Sequence, residues 1–305
     1  MQPKTIVEKT QRAASDFVYE CETEYRNKIC RLVREILSLS EKRPIVLISG
    51  PSGSGKTTTA RLLEKEFEKT GIETHVLSLD NYFHPLTEKE KEQFALNQLD
   101  LESPIRLDTD LLNRQLSDLH HGRTIMVPRF DFITNTRRDS GKTLTLHPGE
   151  LIILEGIHAL NPNVIDAEDY TTRIYVSVRT RIALPNDRFL HPSKIRLARR
   201  MIRDSRTRGR SFESTVDLYE SVERGENLYI MPYKHRAHFD VDTFHACELS
   251  VYKNFLPSSM PMTETQFPWL SELFEALSLL PVISPDLVSE NSLLREFIGG
   301  GVFGD

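Results

Sequence analysis

The residues best suited to chemistry lie in Gly50-Pro51-Ser52-Gly53-Ser54-Gly55-Lys56-Thr57, which matches the spacing GxxxxGK[ST]. Glycines let a backbone wrap around phosphates with successive N–H groups pointing inward, and a helix starting there adds positive potential. Lys56 is expected to reach the β- and γ-phosphates of ATP, and Thr57 to ligate Mg²⁺ through its hydroxyl. Ser52, Gly53, Ser54, Gly55 and Thr58 complete the expected cradle.

Two carboxylates stand at the ends of apolar runs. Leu151-Ile152-Ile153-Leu154 ends in Glu155-Gly156, and the stretch from His75 to Leu79 leads into Asp80. Ligands of open parallel sheets bind at the carboxyl ends of strands. Glu155 is therefore expected to hold Mg²⁺, directly or through water. Asp80 is expected to align an acceptor hydroxyl and take its proton, which is most of what a protein must supply for phosphoryl transfer.

A third feature is basic. Arg196, Arg199, Arg200 and Arg203 recur at i, i+3, i+4 and i+7 and would share one helix face. Between Arg196 and Arg210 only Asp204 is acidic, so such a face should repel itself unless an anion such as ATP is bound. The helix lacks interleaved aromatic residues, which argues against single-stranded nucleic acid as that anion. His84, His158, His191, His235, His238 and His245 show no metal-ligand spacing.

These residues need a scaffold, and the periodicity supplies one. Apolar residues at helical spacing (Phe17, Cys21, Tyr25, Ile29, Leu32, Ile36) predict an amphipathic helix over about Ser15 to Leu39. Ile45 to Ser49 reads as a strand buried on both faces, Thr57 to Lys69 as a helix and His75 to Leu79 as a strand, which is a βαβ unit. Thr109 to Leu119 reads as a helix. Thr124 to Val127 and Thr143 to Leu146 read as short strands flanking a polar excursion. Leu151 to Leu154 and Arg173 to Val178 are further strands. Pro192 to Arg208, Phe212 to Arg224 and Trp269 to Leu279 read as helices, and Gly299-Gly300-Gly301 as a loop or flexible end. The expected fold is α/β of the P-loop NTPase type, a parallel sheet flanked by helices. It carries an arginine-rich helical lid and an extra N-terminal helix. The expected division is a helical extension over 1–42, a kinase domain over 43–257 with its lid at about 185–212, and a helical tail over 258–305 packed on the kinase domain.

Composition limits the partners. The 305 residues carry 39 Lys and Arg against 44 Asp and Glu, a formal net charge of −5, so no general affinity for nucleic acid or anionic membrane is expected. Cys21, Cys30 and Cys247 form no paired spacing and read as reduced thiols. No signal-like or membrane-spanning run is visible, and a cytoplasmic location is expected. A homo-oligomer is compatible with the sequence.

Asp80-Asn81-Tyr82-Phe83 resembles the DxFY element of uridine kinases and their phosphoribulokinase relatives. The resemblance continues through Glu102-Ser103-Pro104 with Leu107-Asp108, Val127 to Phe132 running to Thr136-Arg137, and Glu155-Gly156-Ile157. It ends with Arg199 to Asp204 and Arg208-Gly209-Arg210, so the blocks cover roughly Ile45 to Lys253. It implies a kinase in which Asp80 is the catalytic base, acting with Lys56 and Arg203. Arg200, Arg203 and Arg208 are implied to contact the transferring phosphates, with Arg200 and Arg210 reaching the acceptor side. Tyr82, Glu102, Phe130, Phe132, Asn135 and Arg137 are implied to line the acceptor pocket. Family members usually carry Asp at Glu102, Tyr at Phe130 and His at Asn135, and changed hydrogen-bond partners should change selectivity. The expected acceptor is a nucleoside, uridine- or cytidine-like, phosphorylated on its 5′-hydroxyl. A sugar or polyol acceptor stays open, as does a regulatory nucleotide binder without turnover. No NKxD-like guanine-reading motif accompanies the loop.

Overall fold

The computed structural model describes residues 1–96, 99–131, 134–258 and 267–303, with the side chains of 94 and 95 excepted. The expected pocket residue Phe132 lies outside the described residues. A five-stranded sheet has the order β2–β5–β1–β6–β9. Its strands are β1 (Ile45–Ser49), β2 (Thr74–Ser78), β5 (Leu151–Glu155), β6 (Thr171–Ser177) and β9 (Phe239–Asp242). All neighbouring pairs run parallel. Every residue of β1 and β5 is buried, as an apolar run covered by helices on both faces requires. Alternate residues serve opposite faces. Val46, Ile48 and Ile153 join one apolar cluster, and Ile45, Leu47, Ile152 and Leu154 join the other.

The first face is covered by α1 (Pro3–Leu37), α2 (Lys56–Glu68), α5 (Pro192–Thr207) and the C-terminal segments. α1 buries the predicted stripe, yet it begins at Pro3 rather than near Ser15, with a break at Ala13, where φ is −166° and ψ 102°. The second face is covered by α4 (Thr109–His120) and a hairpin of β3 (Ile125–Asp131) and β4 (Thr136–Leu144). The polar excursion expected between two short strands is thus itself strand. Pro128, which has no N–H to give a ladder, sits at a register shift between Met126 and Pro128.

The single helix expected over Phe212 to Arg224 is two, α6 (Phe212–Asp217) and α7 (Tyr219–Tyr229). Short pieces complete the chain: α3 (Glu88–Ala95), β7 (Ile182–Ala183), β8 (Phe189–Leu190), α8 (Glu248–Tyr252), α9 (Ser271–Ser278) and α10 (Arg295–Ile298). The chain after α9 packs back onto the first face, where Leu293, Leu294, Phe297 and Ile298 are buried.

Candidate active site

The glycine-rich loop leaves β1 and enters α2. A Cβ on Gly50 would lie 1.9 Å from the carbonyl oxygen of Val176, so only glycine fits there. Gly55 caps α2 with φ 88°, a left-handed conformation that the turn requires. The loop's carbonyls are held from outside. Arg196 donates to Ser52 O at 3.3 Å, Arg199 to Gly53 O at 3.2 Å, and Thr243 Oγ1 to Ser54 O at 2.8 Å. With these carbonyls tied outward, the loop's N–H groups are left to face a phosphate, that of Ser54 excepted, which donates to Pro51 O at 3.2 Å. Lys56 Nζ donates to Pro51 O at 3.2 Å, curled over its own loop. Burial lowers its pKa, opposed by Glu155, Glu296 and Asp80.

Strand register brings the carboxylates to the same edge. Glu155 is level with Ser78 of β2 and Ile48 of β1, so Asp80 and the loop flank it. Glu155 is only 8% exposed. Burial and then the neighbouring Asp80 push its carboxyl up to about 7, against the pull of Lys56. Asp80 opens toward solvent at the cleft mouth. The crowding of protein around it raises its carboxyl, while Lys56, Arg208, Arg106 and Arg203 pull the other way.

The arginine face is not the self-repelling surface expected from sequence. Arg199 and Glu248 are both 0% exposed and pair at 2.7 Å, and Arg196 pairs with Glu226 at 2.7 Å. These two arginines are neutralised by carboxylates of the fold and need no nucleotide. The remaining set gathers around Asp204, which is fully buried and faces Arg200 at 3.7 Å, Arg203 at 3.3 Å and Arg208 at 3.4 Å. Arg200 also donates to Ser52 Oγ of the loop. Burial, with Arg203 adding like charge, lowers the Arg208 guanidinium to about 10. The Arg210 backbone N–H closes the turn on Asp204 O.

On the acceptor side, Glu102 packs against Gly225 of α7, where a Cβ would lie 2.4 Å from its own Cβ. Burial raises its carboxyl, with Arg200 and Lys56 opposing. His158, 2% exposed, sits edge-on to Tyr229 at 6.2 Å, and burial holds its imidazole neutral with a pKa near 4. Other expected pocket residues have structural partners. Tyr82 is 1% exposed and donates to Gln115 at 2.8 Å. Phe130 is a core residue, edge-on to Phe83 at 5.8 Å, and its N–H is held by Asn81 Oδ1. Asn135 forms the hairpin turn with φ 51°, which accounts for an Asn there. Arg137 pairs with Asp108 at 2.7 Å.

The structure therefore brings together Lys56, Asp80, Glu155, Glu102, Arg200, Arg203 and Arg208. Thr57 is exposed at the loop's end. Sequence reasoning missed Thr243, Glu226 and Glu248, whose partners are distant in the chain, and Arg106, which acts on Asp80. It also missed Glu296, whose carboxylate accepts from the Thr58 hydroxyl at 2.7 Å and from the Thr58 N–H at 3.3 Å. No motif marks Glu296.

The sequence profile of the Phosphoribulokinase / Uridine kinase family matches residues 45–250. The chain belongs to this family. The kinase is 35% identical to the uridine kinase of Macrococcus caseolyticus over 63% of its own length and 84% of the relative's. It is 33% identical to the uridine-cytidine kinase-like 1 protein of Mus musculus, over 61% of its length and 31% of that chain. Among solved structures, the YGR205w protein aligns at 19% identity over 67% of this chain and 84% of that one, with a TM-score of 0.47. As a family member, this kinase is an ATP-using phosphotransferase with a hydroxyl acceptor, built on a P-loop α/β fold. No helix among its described residues is long and apolar enough to cross a membrane.

Proposed function

We propose that the chain transfers the γ-phosphoryl group of ATP to the 5′-hydroxyl of a nucleoside, uridine or cytidine. The observation that carries this reading is the meeting of Lys56, Asp80 and Glu155 at adjacent strand ends, beneath arginines gathered by Asp204. The names of the relatives support a nucleoside as acceptor. The acceptor oxygen forms a bond to the γ-phosphorus, the bond to the β-phosphate oxygen breaks, and the hydroxyl proton passes to Asp80. A base whose carboxyl is raised by its surroundings is better suited to take that proton. Lys56, Arg200, Arg203 and Arg208 balance charge on the transferring group. Glu102 accepts hydrogen bonds from the sugar hydroxyls.

Two crowded carboxylates, one pushed up to about 7, suit a site that also receives a cation. Glu155 and the Thr57 hydroxyl would hold Mg²⁺, which would supply charge neutralisation at the phosphates. Asp80→Asn tests the reading. Its affinity for ATP should match wild type, while formation of uridine 5′-phosphate should fall by roughly 10²- to 10⁴-fold, the scale of lost general-base catalysis. A wild-type transfer rate in Asp80→Asn would remove Asp80 from the reaction.

A further inference from the structure

The chain after α9 returns across the phosphate loop as a strap. Asn291 accepts from Lys65 of α2 at 3.0 Å, and Lys65 also stands over the Phe303 ring at 4.4 Å. Leu293 fills the space beside Gly55, where a Cβ would come within 2.7 Å of its Cδ1. Arg206 of α5 donates to Phe297 O at 3.2 Å and packs against Gly299. Between these anchors the strap delivers Glu296 to Thr58, where it accepts from both hydroxyl and N–H.

That N–H is one of the first-turn donors that a helix cannot satisfy internally. Together with the preceding loop amides it belongs to the set that cradles nucleotide phosphates. Thr58 is only 4% exposed, with the Glu296 carboxylate seated on both of its donors. Glu296 also acts on Lys56, which places its charge in the same cleft. A carboxylate here makes the bonds a phosphate oxygen would make. Two anions held at the same N–H repel each other at close range, so the carboxylate and a phosphate compete for it. Two glycines at positive φ, Gly299 and Gly300, follow α10 and permit the backbone there to turn.

We propose that Glu296 is a resident occupant of the donor-phosphate site, which the donor must displace, and that it thereby sets the affinity for ATP. The proposal rests on reading Gly50 to Thr58 as that site. Calorimetric titration of ATP, without acceptor, into the full chain tests it with Glu296→Gln, Glu296→Ala and Lys56→Ala. Glu296→Gln keeps the size of the side chain, and thermal unfolding checks that both Glu296 variants are folded. Both should bind ATP roughly tenfold tighter or more, the scale of one hydrogen bond to a charged group. The KM for ATP should fall in step, with the KM for uridine unchanged. If wild type binds ATP and the Glu296 variants bind it no tighter, or more weakly, the proposal alone is overturned. If wild type binds no ATP, or Lys56→Ala binds it as well as wild type does, the phosphate-site reading falls and takes the proposal with it.

Discussion

Glu155 ends a strand buried on both faces, and its carboxyl is pushed up to about 7. The folded state therefore keeps a proton that the unfolded chain releases near the ordinary carboxylate value. Between that value and about 7 the unfolded state binds fewer protons, so this residue's contribution to stability falls as pH rises. His158 and His245 have the opposite sign. Burial holds them neutral with pKa values near 4 and 3, so they cost stability as pH falls below the usual histidine range. Glu155→Gln separates the two. In metal-free buffer, its thermal midpoint relative to wild type should climb as pH rises toward 7 and level off above it. A constant difference across that range would contradict the assignment. Glu155 was legible because an apolar run leading into an acid is a local pattern. The pairings of Arg196 and Arg199 were not, because Glu226 and Glu248 lie 30 and 49 residues further along the chain.

At the scale of elements, α5 does two things that its composition blurs together. One row of arginines braces the phosphate loop from behind, and another gathers at Asp204 beside the cleft. The brace depends on a buried pair, Arg199 with Glu248, in which each group satisfies the other. Removing one partner leaves a buried charge unpaired, so Glu248→Gln should cost about 3–5 kcal/mol in urea unfolding. ATP affinity should fall with it, since Arg199 also holds Gly53 O. A cost below about 1 kcal/mol, the scale of a surface pair, would mean that the brace does not matter. The hairpin shows the other limit of pattern reading. Polar residues dominate β4, and its pairing with β3 is a tertiary fact that alternation alone does not reveal. β1, β5 and most of β6 are buried and were legible because strands covered on both faces read as apolar runs, whereas β2 is a partly exposed edge strand that was read one residue late, over His75 to Leu79.

Across the whole molecule, the family core is wrapped by the two segments that sequence motifs explain least. α1 packs on α2 and ties Tyr25 to Thr59 at 2.7 Å. The C-terminal strap bonds back to α1 through Ser289 N–H and Glu22 at 2.9 Å, then reaches the phosphate loop. Helical spacing foretold the burial of α1. The tail was expected to pack on the kinase domain, but not to reach the phosphate loop, because Glu296 and Leu293 gain meaning only from the loop they meet. The acceptor is the central question, because Phe130 and Asn135, two of the expected pocket positions, have structural roles in the core and in the hairpin turn. The most direct measurement is ADP release from ATP and Mg²⁺ by the full chain across a panel of nucleosides, pentoses and polyols. Stimulation by uridine or cytidine, with a nucleoside 5′-phosphate as product, is the result expected. Stimulation by a sugar or polyol and by no nucleoside would contradict it.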